Sequence, residues 1–371
     1  MFSNFKDEKK VEYLELVYDL IFVYLIRKNN SLLHNAPDGI IGLDLYTTYI
    51  FCTFAIIQIW FFTTFYINRY GKNGIKETLL VFANMYLLYY MGDGTRVYWH
   101  EHYKRYSVAW ALILFNIAIA YYTEYRHIKS DKEKKHVIRM MTTILIQSFI
   151  VAVSLPIYTV TGISIAPFAV LTGIVLIAVM GKANKLLEVD FPHLTERVML
   201  YVVLTFGEMI IGIASHFGGK ITPASIFYSL IPFLITVGLF LSYGTLYDNI
   251  IDRQMSTNAT GYMLIHMFLI FALTNMTTAL EYMNEEENFF MSKTILMACS
   301  LLLYYLLLFA MIRYSKKEIK IGTPHYFCSV FSAVCMILSV LLYKDNSYVC
   351  LAVMLIYIYV FYAVFFRIKK R

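Results

Sequence analysis

The chain has 371 residues, of which 59% are hydrophobic and only 15% charged, with a formal charge of +7. A soluble domain carries about a quarter charged residues, so this composition excludes an ordinary soluble globular protein. In a soluble chain the positive charge would suggest an acidic partner, but here membrane topology accounts for it, and no nucleic-acid partner is implied.

A helix needs roughly 20 apolar residues to cross about 30 Å of hydrocarbon. Runs of that length recur along the whole sequence and leave no room for an extramembrane domain. The predicted fold class is therefore all-α and polytopic, with about twelve transmembrane helices. The predicted spans are 11–27, 45–68, 75–91, 106–127, 137–157, 163–181, 195–216, 223–247, 260–280, 292–313, 323–343 and 347–367.

The charged N-terminus, "MFSNFKDEKK", leads into a first apolar run that carries two acids and has no small-residue cleavage site. It reads as a retained helix rather than a signal peptide. Within that run, "YLELVYDLIFVYLI", Glu15 and Asp19 sit one helical turn apart. With Glu12 they make an acidic stripe down one face. Asp19 falls at the middle of predicted span 1, where an acid costs about 2.5 to 3.5 kcal/mol on insertion scales, so that face must meet a polar cavity or a partner. An unpaired Asp19 would become a proton acceptor, whereas a nearby Arg would keep it ionised and fix packing. Both readings stand at this stage.

Span 2 ends in "WFFTTFYINRYGKNG", where Trp60 and the tyrosines read as interface belt residues and Arg69 as a snorkelling cation. His193, in "FPHLTER", falls in the loop before span 7, with loop capping as the default reading. Span 7, "TERVMLYVVLTFGEMIIGIASHF", begins with Glu196 and Arg197 and carries Glu208 just past its centre, directly after Gly207. A glycine there lets a backbone or a ligand come close. Glu196 and Glu208 are about 18 Å apart along the helix and about 120° apart around it, so they cannot form one acid pair. In span 8, Pro232 followed by Gly238 and Gly244 predicts a kink or interruption. Asp248, at the end of that span, has Arg253 nearby as a local partner. His266, in "GYMLIHMFLIFAL", reads as a buried hydrogen-bonding group with a proton-relay role open to it. The five cysteines, Cys52, Cys299, Cys328, Cys335 and Cys350, all fall in apolar runs and are odd in number, which argues against a disulfide framework or a zinc site.

Placing the N-terminus in the cytoplasm puts 24 of the 32 Lys and Arg on that side. The acidic "EYMNEEEN" then lies outside. The positive-inside rule thus supports an even number of spans with both termini cytoplasmic. Shifting the chain by 181 residues lays Glu15 on Glu196, Thr64 on Thr245, Tyr66 on Tyr247 and Asn68 on Asn249, and brings spans 1–6 over spans 7–12. This predicts two parallel six-helix repeats, 1–181 and 182–371, about an axis along the membrane normal. No GxxxxGK[ST], HExxH, GxSxG or CxxC motif occurs, so neither cofactor nor metal is expected and no catalytic residues are assigned.

At "ELVYDLIFVYLI" and "HLTERVMLYVVLTFGEMIIGI" the sequence resembles the bacterial low temperature requirement A family, with further echoes in "NRYGKNG" and "GYMLIHM". The likeness runs over the whole chain. It implies a bacterial cytoplasmic-membrane protein, with the family pattern carried here by Glu15, Asp19, Glu196, Arg197, Gly207 and Glu208. Tyr18 stands where the family prefers Phe, and Met209 where Ser is common. "VYDLIFV" is also similar to the Phe-Ser-Asp motif of a potassium-channel family built from six-helix repeats, although Leu200 stands where the repeat shift places Asp19.

The expected function is a secondary transporter or carrier of a small solute or ion, proton-coupled, with a polar midplane site at the interface of the repeats. Its expected site residues are Glu15, Asp19, Glu196, Arg197, Gly207, Glu208 and His266. The alternatives are an ion channel and an intramembrane enzyme or lipid-handling protein. The expected partners are the lipid bilayer and the small solute or ion, and a homo-oligomer is compatible with the sequence.

Overall fold

Twelve α-helices follow one another in the computed structural model, which describes residues 9–34, 41–72, 74–95, 99–183, 185–218, 220–281, 290–319, 322–343 and 346–366. They are α1 (Tyr13–His34), α2 (Leu43–Tyr70), α3 (Ile75–Gly94), α4 (Trp99–Tyr125), α5 (Asp131–Thr161), α6 (Pro167–Lys182), α7 (Phe191–Ile213), α8 (Pro223–Thr245), α9 (Thr260–Glu281), α10 (Phe290–Met311), α11 (Thr323–Leu342) and α12 (Ser347–Phe366). Among the described residues β structure is confined to isolated bridge residues, with Ile251 and Ser315 forming one such pair. Each helix falls on a predicted span. Nine described helices are long and apolar enough to cross a membrane, while α6 is apolar but short. The "EYMNEEEN" loop after its first residue, the acids and bases before Lys9, Lys320 and the last five residues lie outside the described residues, so the parts of the charge argument that rest on them are not placed.

The main departure is at the end of α1, expected at residue 27 and found at His34. The expected span leaves Lys28, Asn29 and Asn30 beyond its end. Asn29 and Asn30 are instead buried, Asn29 donating to the Tyr49 carbonyl at 3.3 Å and Asn30 accepting from the Tyr49 hydroxyl at 3.3 Å. Hydrogen-bonded asparagines let a helix continue through apolar packing. Because α1 is longer, its centre moves to residues 23–24, and Asp19 lies about 7 Å from that centre toward the start.

The helices divide into two units. The first contains α1 to α6, α7 as far as Tyr201, and Arg253–Met267. At its heart is α2, buried around its full circumference from Cys52 to Asn68, as an apolar helix without a polar face must be. Polar side chains tie the neighbours together: Gln58 of α2 donates to the Val170 carbonyl of α6 at 2.8 Å, Asn116 of α4 to Asn84 of α3 at 2.7 Å, and Ser148 of α5 to the Ala111 carbonyl of α4 at 2.9 Å. Such bonds replace the hydrophobic drive that is weak between helices in lipid.

The second unit holds the remainder of α7 and α9 with α8, α10, α11 and α12. Here α8 and α12 pack closely enough that a Cβ on Gly238 would meet Ile358 at 2.5 Å. Tyr304 of α10 donates to the Leu239 carbonyl of α8 at 2.8 Å. Pro232 does not interrupt α8, which runs unbroken to Thr245 and then widens into a π-helical turn at Leu246–Ile250. Asp248 lies in this turn with its side chain exposed, and its backbone carbonyl accepts from Lys316 at 3.3 Å. Phe327, Val330, Phe331, Val334, Leu338 and Leu341 of α11 are all exposed. An apolar face of that extent is a lipid-facing surface.

Candidate functional site

The first turn of α7 is fixed by its own sequence. Asp190 caps it, its carboxylate accepting from the His193 amide at 3.2 Å, and Pro192 sits where its missing N–H is not needed. Asn68, near the end of α2, clamps the same point: its side-chain NH2 donates to the Asp190 carbonyl at 2.8 Å, and its side-chain oxygen accepts from the Asp190 amide at 3.1 Å. This clamp brings the start of α7 against α1 and α2.

His193 and Arg197 are four residues apart and therefore share one helical face. Both are completely buried against the acidic stripe of α1. Arg197 donates through Nη1 to Glu15 and through Nη2 to Asp19, the latter at 3.2 Å. His193 Nε2 lies 3.3 Å from Glu15 Oε1, and its Nδ1 lies 3.0 Å from the Asn68 amide nitrogen. Because Asn68 offers Nδ1 an N–H, Nδ1 accepts, and the imidazole proton is on Nε2 and donated to Glu15. Trp60 of α2 donates its indole N–H to Asp19 at 2.7 Å, stacks on Tyr201 at 4.4 Å and has the Arg197 guanidinium 5.9 Å from its ring. Two carboxylates, one guanidinium, one imidazole and one indole thus form a single buried network on α1, α2 and α7.

Lys9, just before α1, donates to the backbone carbonyls of Ile67, Asn68 and Gly71 at the end of α2. Burial pushes its ammonium pKa below the ordinary value, with Glu15 the strongest opposing charge.

Inside the network, Asp19 Oδ2 and Arg197 Nε are buried and have no hydrogen-bond partner in the protein. These groups carry opposite charge and lie at the boundary of a salt bridge that is otherwise satisfied. Among the described residues no three His, Cys, Asp or Glu side chains converge as a metal site requires; Glu15, Asp19 and His193 are engaged by Arg197, Trp60 and Asn68. The chemistry open to this arrangement is proton exchange on two carboxylates and anion recognition by a desolvated guanidinium.

Of the residues expected in a site, Glu15, Asp19 and Arg197 meet here. Glu196 points away and is exposed. His266 is buried on α9, bonds through Nδ1 to the Tyr262 carbonyl four residues back at 2.9 Å and packs on the Tyr262 ring. Glu208 is buried further along α7, and a Cβ on Gly207 would meet nothing within 4 Å. Two members of the network were read otherwise in the sequence. His193 is not in a loop but in the first turn of α7, and Trp60 is not an interface belt residue but a buried donor to Asp19. The four-residue spacing of His193 and Arg197 in "HLTER" was the available signal for the first.

A bundle of apolar helices with an exposed hydrophobic surface and a desolvated ionic network defines a polytopic membrane protein. Residues 10–364 match the family description "Bacterial low temperature requirement A protein", and the chain belongs to that family. Neither the curated proteins nor the solved structures give a match.

Proposed function

We propose that the protein is a secondary carrier of a small solute or ion in the bacterial cytoplasmic membrane, coupled to protons through Glu15 and Asp19. The observation that carries this reading is Arg197 lying across both carboxylates with no exposure to solvent. Breaking a buried ion pair leaves an uncompensated charge. The two carboxylates outnumber the one guanidinium, so protonating one of them leaves Arg197 paired with the other and loosens one of its two ties to α1, which lets α1 and α7 shift. That linkage between proton occupancy and helix position is what a coupled carrier needs.

In this reading the chain is built from two six-helix repeats, 1–181 and 182–371, with both termini in the cytoplasm. Glu15, Asp19 and Arg197 are the coupling centre. Glu208 and Gly207 of α7 serve the transport path, His266 is a secondary polar group and Glu196 lies at the cytoplasmic mouth.

The test is flux in proteoliposomes under an imposed pH gradient, screening small solutes and ions against wild type, Asp19→Asn, Glu15→Gln and Glu208→Gln. The expected result is proton-driven, saturable uptake that the two helix-1 variants uncouple while remaining folded. Unaltered proton-driven flux in folded Asp19→Asn and Glu15→Gln proteins rejects the coupling role. Current that scales with driving force without saturation replaces the carrier with a channel.

A further inference from the structure

The first unit contains a cavity of about 110 Å³ near the start of α2, the start of α4 and the turn into α6. It lies at the opposite end of α2 from Lys9 and the Asn68 clamp, so it is separate from the ionic network. Phe51 of α2 and Tyr103, Tyr106 and Trp110 of α4 contribute its aromatic wall, and Ser107 its hydroxyl.

The lining carries no charged residue. A carboxylate or phosphate would find no cation there, and an ammonium would find no acid to offset its desolvation. Thr47 and Thr48 bond back to carbonyls of their own helix, at 2.7 and 3.0 Å, which commits their protons and leaves their oxygens able to accept. The Tyr103 hydroxyl lies 2.8 Å from Ser164. The Tyr106 hydroxyl lies against the Cys52 thiol, while two other groups of the lining, the Trp110 indole nitrogen and the Ser107 hydroxyl, are buried and without a hydrogen-bond partner in the protein. An indole N–H is a donor only, so its partner must present an oxygen lone pair. Leaving such a donor unmet in an apolar setting is costly.

We infer that this cavity is a binding site for a small uncharged hydroxylated solute, of the size and chemistry of glycerol. Its volume matches the liquid share of roughly four water molecules, enough for a three-carbon polyol. A ligand oxygen would accept from Trp110, a hydroxyl would pair with Ser107, and the C–H edges would lie on the aromatic rings. Aromatic faces with a few converging polar groups are the usual makeup of a small-molecule pocket. This site does not depend on the carrier reading.

The experiment is saturation-transfer NMR on the full chain in nanodiscs, with glycerol as the probe and empty nanodiscs as the blank. The expected result is a saturable signal in the millimolar range. Ser107→Leu, which fills the cavity, should reduce it at least roughly fivefold, and Trp110→Phe, which keeps the ring and removes the donor, should weaken binding severalfold. Unfolding transitions matching wild type show that the variants are folded, and if Ser107→Leu misfolds then Trp110→Phe decides. No saturable glycerol signal above the blank, or undiminished binding in both folded variants, overturns the proposal. Saturation by sodium acetate or tetramethylammonium in place of glycerol also overturns it.

Discussion

Arg197 of α7 and Asp19 of α1 lie 178 residues apart in the sequence and meet at 3.2 Å, with neither side chain exposed. Removing the guanidinium alone would strand two desolvated carboxylates. Arg197→Met is therefore expected to cost about 3–5 kcal/mol, the range for breaking a buried pair from one side. The triple variant Glu15→Gln, Asp19→Asn, Arg197→Met removes all three charges and should recover most of that loss. Reversible unfolding in mixed micelles measures both. A triple variant as unstable as Arg197→Met would show that the cost lies in packing rather than charge.

Trp60 combines two contributions that one substitution separates. Phenylalanine keeps an aromatic ring against Tyr201 and removes the N–H that Asp19 accepts at 2.7 Å. A hydrogen bond to a charged group contributes about 1.5–3 kcal/mol, so Trp60→Phe should lose that much. In the Asp19→Asn background the same change should cost clearly less. Equal losses in both backgrounds would mean that the indole acts through its bulk.

The order of the helices was legible because a bilayer imposes its thickness on apolar runs, and that length signal survives without any knowledge of packing. The end of α1 was not legible, since Asn29 and Asn30 look like a polar boundary until Tyr49 and Thr53 of α2 are seen to bond them. The acids of α1 announced a partner by their cost in lipid, and an Arg was among the partners weighed. That the partner is Arg197 depends on how the Asp190–Asn68 clamp seats α7, a contact across 122 residues that no local pattern encodes. Trp60 was hidden for another reason: an aromatic residue on an apolar helix looks the same whether its N–H faces an interface or a carboxylate.

Lys9 gives a pH dependence with a defined sign. Burial lowers its folded pKa below the ordinary value, so in the interval between the two values the unfolded chain binds more protons. Stability then rises with pH across that interval; the penalty is full below the folded pKa and gone above the unfolded one. The unfolding midpoint of wild type should therefore gain on that of Lys9→Met as the pH rises toward the ordinary lysine value of about 10.5. Taking the difference between the two proteins cancels the other titrating groups. A difference that stays flat across this range would show that Lys9 is hydrated in solution.

Two glycines on neighbouring helices should respond in opposite directions to a single methyl group. A Cβ on Gly238 would meet Ile358 at 2.5 Å and Tyr359 at 3.2 Å, so Gly238→Ala overpacks the α8–α12 contact and should cost about 1–3 kcal/mol. On Gly207 the added Cβ meets nothing within 4 Å, and alanine restores helix propensity there, a gain of about 0.5–1 kcal/mol. Open space beside Gly207 is also what a solute passing Glu208 would use. Gly207→Ala should accordingly raise the unfolding midpoint while slowing saturable flux. If stability rises and flux is unchanged, the space beside Gly207 faces lipid and the residue leaves the proposed path. If stability falls, a close approach that the packing of α7 does not reveal must occupy that space in solution.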